Sequence, residues 1–180
     1  MSEHANDSVI HIYKAEYETA AEFAFRGASL IEGVPPTSFT FFEPIYTLFD
    51  TLYLCWEQTG CKNQLLLSEA RRINNVFATF AKIFTIAQAR SLVCQSTLTY
   101  LDGQTAKANT LLNQALTAAR KKEMPLDEGL ALLTMAHQAP INTETKAKLL
   151  TQAGSCLQQF PAIRFLGRLP HISATTPTQR

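Results

Sequence analysis

The sequence predicts an all-α fold of antiparallel helical hairpins. Three observations carry that prediction. Apolar and small residues recur every three or four positions in one segment after another, the spacing that lines one face of a helix. Helix-stopping Gly and Pro and helix-starting Asn, Ser and Thr separate those segments at short intervals. No stretch alternates apolar and polar residues for long, and no Val/Ile/Thr-rich run sits between turns, so strands have no candidate.

Residues 1–12 are expected to form a flexible N-terminus. Between Tyr13 and Ile31, the residues Tyr17, Ala20, Ala21, Ala24 and Ala28 share one face, which predicts a helix with a buried seam of small residues. Gly33, Pro35 and Pro36 stop it. Thr37 and Ser38 then offer cap oxygens to a helix whose apolar face is Phe41, Ile45, Leu48, Phe49, Leu52 and Trp56, with Pro44 limiting how early regular turns begin. After the break at Thr59-Gly60, the residues Leu66, Ala70, Ile73, Phe77 and Phe80 predict its partner, with Arg71, Arg72, Asn74 and Asn75 turned outward.

From Ala87 to Leu101 the predicted face is Ala89, Val93, Ser96 and Tyr100, and Asp102-Gly103 provides an exit in which glycine takes positive φ. Thr105 is the expected cap of the next helix. Ala108, Leu112, Ala115 and Ala119 line its face, while Arg120, Lys121 and Lys122 suit the negative end of the helix dipole. Pro125 stands at a first helical position with Asp127 and Glu128 behind it, ahead of Leu130, Leu133 and Ala136. A last helix opens at Asn142 or Thr143 and carries Leu149, Leu150, Ala153 and Leu157. The helical domain therefore spans 13–158. Pro, Gly and Thr mark 159–180 as an irregular tail, whose Phe160, Ile163, Phe165, Leu166 and Leu169 are expected either to cap the array or to dock on another protein.

Composition narrows the function. Lys plus Arg total 16 against 15 for Asp plus Glu, so no overall field draws the chain to nucleic acid. Every apolar run is interrupted well short of the roughly 20 residues that cross a bilayer. With 46% hydrophobic and only 17% charged residues, the chain has apolar surface to offer a protein partner or a second copy of itself. Cys55, Cys61, Cys94 and Cys156 form no C-x-x-C pair and no secretory leader is evident, which fits reduced thiols and a cytoplasmic location.

Helix starts near residues 86, 105, 125 and 143 give a two-helix period of about 38 residues, close to the roughly 34 of a tetratricopeptide (TPR) unit. The segment Ala89 to Ala136 resembles such a unit: helix, Gly-containing turn, Ala-rich second helix, and a proline opening the next pair. Gly103, Ala108, Ala115 and Pro125 fall where that pattern uses small or turn-forming residues, while Ser96 and Leu112 depart from it. Pro35-Pro36-Thr37-Ser38-Phe39, Trp56-Glu57 and Lys122-Glu123-Met124-Pro125 give a narrower resemblance, to the C-terminal repeats of large signalling ATPases that carry a nucleotide (adenylate/guanylate) cyclase or kinase domain. The resemblance implies a short TPR-like solenoid acting as a non-catalytic interaction or scaffold module. The alternative it implies is a regulatory C-terminal part of a multidomain signalling ATPase or adenylate cyclase, with the catalytic domain as partner.

Catalytic and cofactor motifs are lacking. There is no G-x-x-x-x-G-K-[ST] phosphate loop, and His4, His11, His137 and His171 are dispersed without metal-ligand spacing, so no cofactor and no metal is predicted. Asp50 with Glu57, or Asp127 with Glu128, are the candidate acid and base pairs, the second pair being read first as helix-terminal electrostatics. Cys55 and Cys61 are read as structural thiols before a redox pair, and Cys94 as core. Arg71-Arg72 and Arg120-Lys121-Lys122 are read as solvated faces before an anion-binding strip. Trp56, Phe77, Phe80 and Tyr100 are read as core before an interaction hot spot.

Overall fold

The computed structural model describes residues 1–31, 37–138 and 142–158. Among them all regular structure is helical: α1 (Ser2–Tyr13), α2 (Tyr17–Ser29), α3 (Phe42–Gln58), α4 (Gln64–Ile83), α5 (Gln88–Leu101), α6 (Thr105–Lys121), α7 (Pro125–Gln138) and α8 (Thr143–Leu157). Short 3-10 turns at Phe39–Phe41 and Thr85–Ala87 lead into α3 and α5. The tail at 159–180, and the stop signals Gly33, Pro35 and Pro36, lie outside the described residues.

The N-terminus corrects the sequence reading. Residues 1–12 are not a flexible lead but nearly the whole of α1, which packs on both α2 and α3. Its buried residues are Ala5 and Ser8, one turn apart, and Ser8 Oγ lies 3.2 Å from Thr51 Oγ1 of α3. A seam made of an alanine and a serine leaves little apolar periodicity to read. The helix expected from Tyr13 begins at Tyr17, because the chain turns at Ala15 with φ 58° while the Glu16 amide donates to the His11 carbonyl at 2.9 Å.

That closure recurs. Gly103 (φ 75°) ends α5, with the Gln104 amide donating to the Thr99 carbonyl at 3.1 Å, and Glu123 (φ 53°) ends α6, with the Met124 amide donating to the Ala119 carbonyl at 3.0 Å. In each case a left-handed residue lets a following amide satisfy a carbonyl that the helix end would orphan. At the helix starts, Asn142 Oδ1 accepts from the Thr145 amide at 2.8 Å, as the sequence suggested, and Ser38 caps the 3-10 turn before α3. Thr105, however, is the first residue of α6 rather than its cap; Gln104 holds the cap position and makes no side-chain capping bond.

Successive helices pair head to tail. His4 of α1 meets Gly27 of α2, Phe42 of α3 stacks on Phe77 of α4, Ser96 of α5 bonds to Ala108 of α6, and Leu157 of α8 presses on Gly129 of α7. In every case a residue near the start of one helix meets one near the end of the other. Each pair also touches the next, α1 reaching α3 and α5 reaching α7, while α4 against α5 joins the two halves of the chain. The largest core cluster runs from Ala5 to Leu157, with Phe77 and Phe80 at its aromatic centre. Burial of each such ring contributes about 1.5–3 kcal/mol. Val93, Leu112, Ala115 and Ala131 form a smaller cluster among α5, α6 and α7.

Candidate functional site

The predicted packing residues sit inside these interfaces. Ala108 and Ala115 are fully buried on α6, Pro125 is the first residue of α7, and Gly103 supplies the positive φ between α5 and α6. Ser96, where a TPR pattern uses a smaller residue, is fully buried: its hydroxyl donates to the Ala108 carbonyl at 3.0 Å and lies 3.2 Å from Gln138 Oε1. One side chain thus links α5, α6 and α7.

A groove of about 290 Å³ opens across α3, α5 and α7. On α3 its wall is Asp50, Tyr53, Leu54 and Glu57, the i, i+3, i+4, i+7 face of that helix. On α7 the opposite wall repeats the spacing with Leu130, Leu133, Thr134 and His137, and α5 lays Val93, Cys94 and Thr97 along the floor. The candidate carboxylates Asp50 and Glu57 are therefore brought together on this surface. Asp50 is only 9% exposed, whereas Glu57 is open to solvent. Among the described residues no Lys or Arg lines the groove, and Asp50 and Glu57 share it with His137.

Beside the groove the same three helices are tied by a buried ion cluster. Arg90 of α5, 2% exposed, donates from Nε to Asp127 Oδ1 at 2.7 Å and from Nη2 to Asp127 Oδ2 at 3.2 Å. Its Nη1 reaches Glu43 Oε1 of α3 at 2.7 Å, and its guanidinium lies 4.5 Å from the centre of the Phe42 ring and 4.8 Å from that of Tyr46. Burial works against the charge of Arg90, but the attraction of Asp127, its hydrogen bond and then Glu43 outweigh it and hold the guanidinium charged. At Asp127 burial is the larger effect and raises the carboxyl above its ordinary range despite Arg90. The arrangement is a fork fixed from two sides, one that sets how α3, α5 and α7 sit against each other.

Sequence reasoning missed Arg90 and read Asp127 first as helix-end electrostatics and second as half of an acid and base pair with Glu128, not as a buried ion partner. A signal was present: Arg90 lies three residues after Ala87 and four before Cys94, on a face otherwise buried, and Asp127 lies three before Leu130. A charge at such a position calls for a buried partner of opposite sign.

The remaining candidates divide. Cys94 is core, and its thiol is held well above its usual range, first by burial and then by the charge of Asp50; burial alone pushes the Cys55 thiol up to about 12. Both are fixed as thiols, not nucleophilic thiolates. Cys61 corrects the structural-thiol reading, since it is exposed in the turn after α3. Phe77, Phe80 and Trp56 are buried as expected, but Tyr100 is 36% exposed and does not join the face predicted for it. Asn74, expected outward, is buried.

Four of the five candidate basic residues, Arg71, Arg72, Arg120 and Lys122, are engaged within the chain. Arg71 forms a two-pronged pair with Asp102, Arg72 binds Glu69 and the Ala28 carbonyl, Arg120 binds Glu128, and Lys122 Nζ donates to the Thr85 carbonyl. Among the described residues no group of three or more His, Cys, Asp or Glu is placed to hold a metal, and no helix is long and apolar enough to cross a membrane. Compared with known protein families, curated proteins and solved structures, the chain matches none.

Proposed function

We propose that this chain is a non-catalytic protein-interaction module, a short TPR-like solenoid whose α3, α5 and α7 form the inner layer and receive a segment of a partner. The observation that carries the reading is the groove across these alternate helices, walled at i, i+3, i+4, i+7 spacing on both sides. Helical hairpins that each bury one face on the next leave such a continuous inner surface available to a ligand. The order of contacts, each hairpin on its neighbour, supports the same reading. The groove combines apolar Leu130, Leu133 and Val93 with acidic Asp50 and Glu57, which suits an apolar segment bearing Arg or Lys.

The test is capture by immobilised chain, quantified by mass spectrometry, for wild type and for Thr134→Arg and Glu57→Arg, whose side chains are not deeply buried. Proteins held by wild type are expected to be lost from both variants while helical content and thermal midpoint stay unchanged. Identical captured sets from all three proteins overturn the groove as the binding surface.

A further inference from the structure

A second cavity, of about 310 Å³, lies between α4, α5 and α6 and shares no lining residue with the groove. Its polar residues reach it through helical spacing. Arg71 and Asn74 stand at i and i+3 on α4, Gln95, Thr99 and Asp102 at i, i+4 and i+7 along α5 and its C-terminal cap, and Lys107 in the first turn of α6. We propose that this cavity binds a small zwitterion of the free α-amino acid class. The ligand's carboxylate faces Lys107 and Arg71, and its N–H donors face Asp102 and the amide oxygens of Asn74 and Gln95.

The observation that carries the proposal is Asn74. It lines the cavity and is only 8% exposed, yet its Oδ1 is sealed from water and, among the described residues, has no hydrogen-bond partner. An acceptor buried without a donor is destabilising, and alanine at this place would avoid that cost. The oxygen calls for an N–H, and a half-turn of the carboxamide exchanges its two ends, so the side chain can meet a ligand at either edge. Around it stand charges of both signs. Arg71 donates from Nη1 and Nη2 to Asp102 at 3.2 Å and 2.7 Å, and its other N–H groups are left for an anion. That hydrogen bonding, against burial and with the charges of Arg71 and Lys107, holds the Asp102 carboxyl below its ordinary range, so it stays an anion. Gln95 donates from Nε2 to Ser91 Oγ at 3.2 Å, which leaves its Oε1 to accept. A simple anion would leave Asp102 and the amide oxygens unanswered, a simple cation would meet Arg71 and Lys107, and a neutral sugar would compensate neither charge. A zwitterion with N–H donors answers all of them. The volume stands at the small end of the roughly 300–1,000 Å³ of small-molecule sites, which fits a ligand of amino-acid size.

The experiment titrates the isotope-labelled full chain with L-glutamine and follows its backbone amide resonances. Acetate, methylammonium and glucose serve as single-feature probes, and trimethylglycine keeps both charges but has no N–H. Saturable shifts are expected in residues 71–75, 95–102 and 107–111 with L-glutamine, and binding at least about tenfold weaker with each of the other four. Asn74→Ala and Lys107→Ala are each expected to weaken L-glutamine about tenfold or more. Lys107 is exposed, so its variant keeps the wild-type thermal midpoint, and Asn74→Ala keeps or raises it because an unmet acceptor is gone. No saturable shift at concentrations on the order of 10 mM overturns the proposal, as do equal binding of acetate, methylammonium or glucose and an affinity indifferent to both substitutions. Trimethylglycine binding as tightly as L-glutamine also overturns it, since Asn74 then receives no donor. Shifts confined to residues 50–57 and 130–137 overturn it by placing the ligand in the groove instead. If Asn74→Ala does not fold, Lys107→Ala and trimethylglycine decide the outcome.

Discussion

At the scale of single residues, the buried Arg90 fork makes the sharpest prediction. Asp127→Ala leaves a guanidinium 2% exposed with, among the described residues, the exposed Glu43 as its remaining acid partner, and stability measured by chemical denaturation is expected to fall by about 3–5 kcal/mol. Arg90→Met combined with Asp127→Ala is expected to recover most of that loss, because the buried charge is then gone as well. A single variant costing under about 1 kcal/mol would show that water reaches and solvates Arg90. The positive-φ residues predict the opposite sign. Ala15 turns the chain between α1 and α2 at φ 58°, where a Cβ costs roughly 1–2 kcal/mol. Ala15→Gly is expected to raise stability by about 0.5–1 kcal/mol once the greater freedom of glycine in the unfolded chain is subtracted. Thermal and chemical denaturation check both.

At the scale of elements, close approach between paired helices depends on what the facing residues lack. A Cβ on Gly129 would meet Leu157 Cγ at 2.8 Å and Cys156 Cβ at 3.0 Å, so Gly129→Ala must push α8 away from α7. An expected loss of about 1–3 kcal/mol follows from overpacking, and hydrogen exchange is expected to rise first in α8. Ala108→Trp and Ala115→Trp act on the α5 and α6 pair, where both alanines are fully buried, with a similar expected loss. Unchanged unfolding would mean that α6 moves aside freely. The sequence was legible here: the α6 face Ala108, Leu112, Ala115 and Ala119 is buried as its spacing predicts, and α6, α7 and α8 begin at 105, 125 and 143. α1 was not legible, because Ala5 and Ser8 carry too little hydrophobicity to mark a face.

At the scale of the whole molecule, each helix packs on its neighbours along the chain, so removal of an end helix is expected to be felt at the helices it touches. Deleting residues 1–13 removes the helix that packs on α2 and α3, taking His4 from Gly27 and Ser8 from the buried Thr51. A lowered thermal midpoint, with faster exchange concentrated in α2 and the first half of α3, is expected. An unchanged midpoint would return α1 to the status of a dispensable extension.

The helical class, most helix starts and the small-residue seams were determined by the sequence itself, because caps, proline and three-and-four periodicity act over a few neighbouring residues. The groove was only half visible: Asp50 and Glu57 stood out as a spaced carboxylate pair, but nothing in the local sequence indicated that α5 and α7 would complete the surface. Arg90, Asp127 and Glu43 likewise come from three helices, separated by 37 and 47 positions. Their meeting depends on how the hairpins pack, since a charge has no periodicity of its own and its partner is chosen by burial. That choice belongs to the tertiary structure alone.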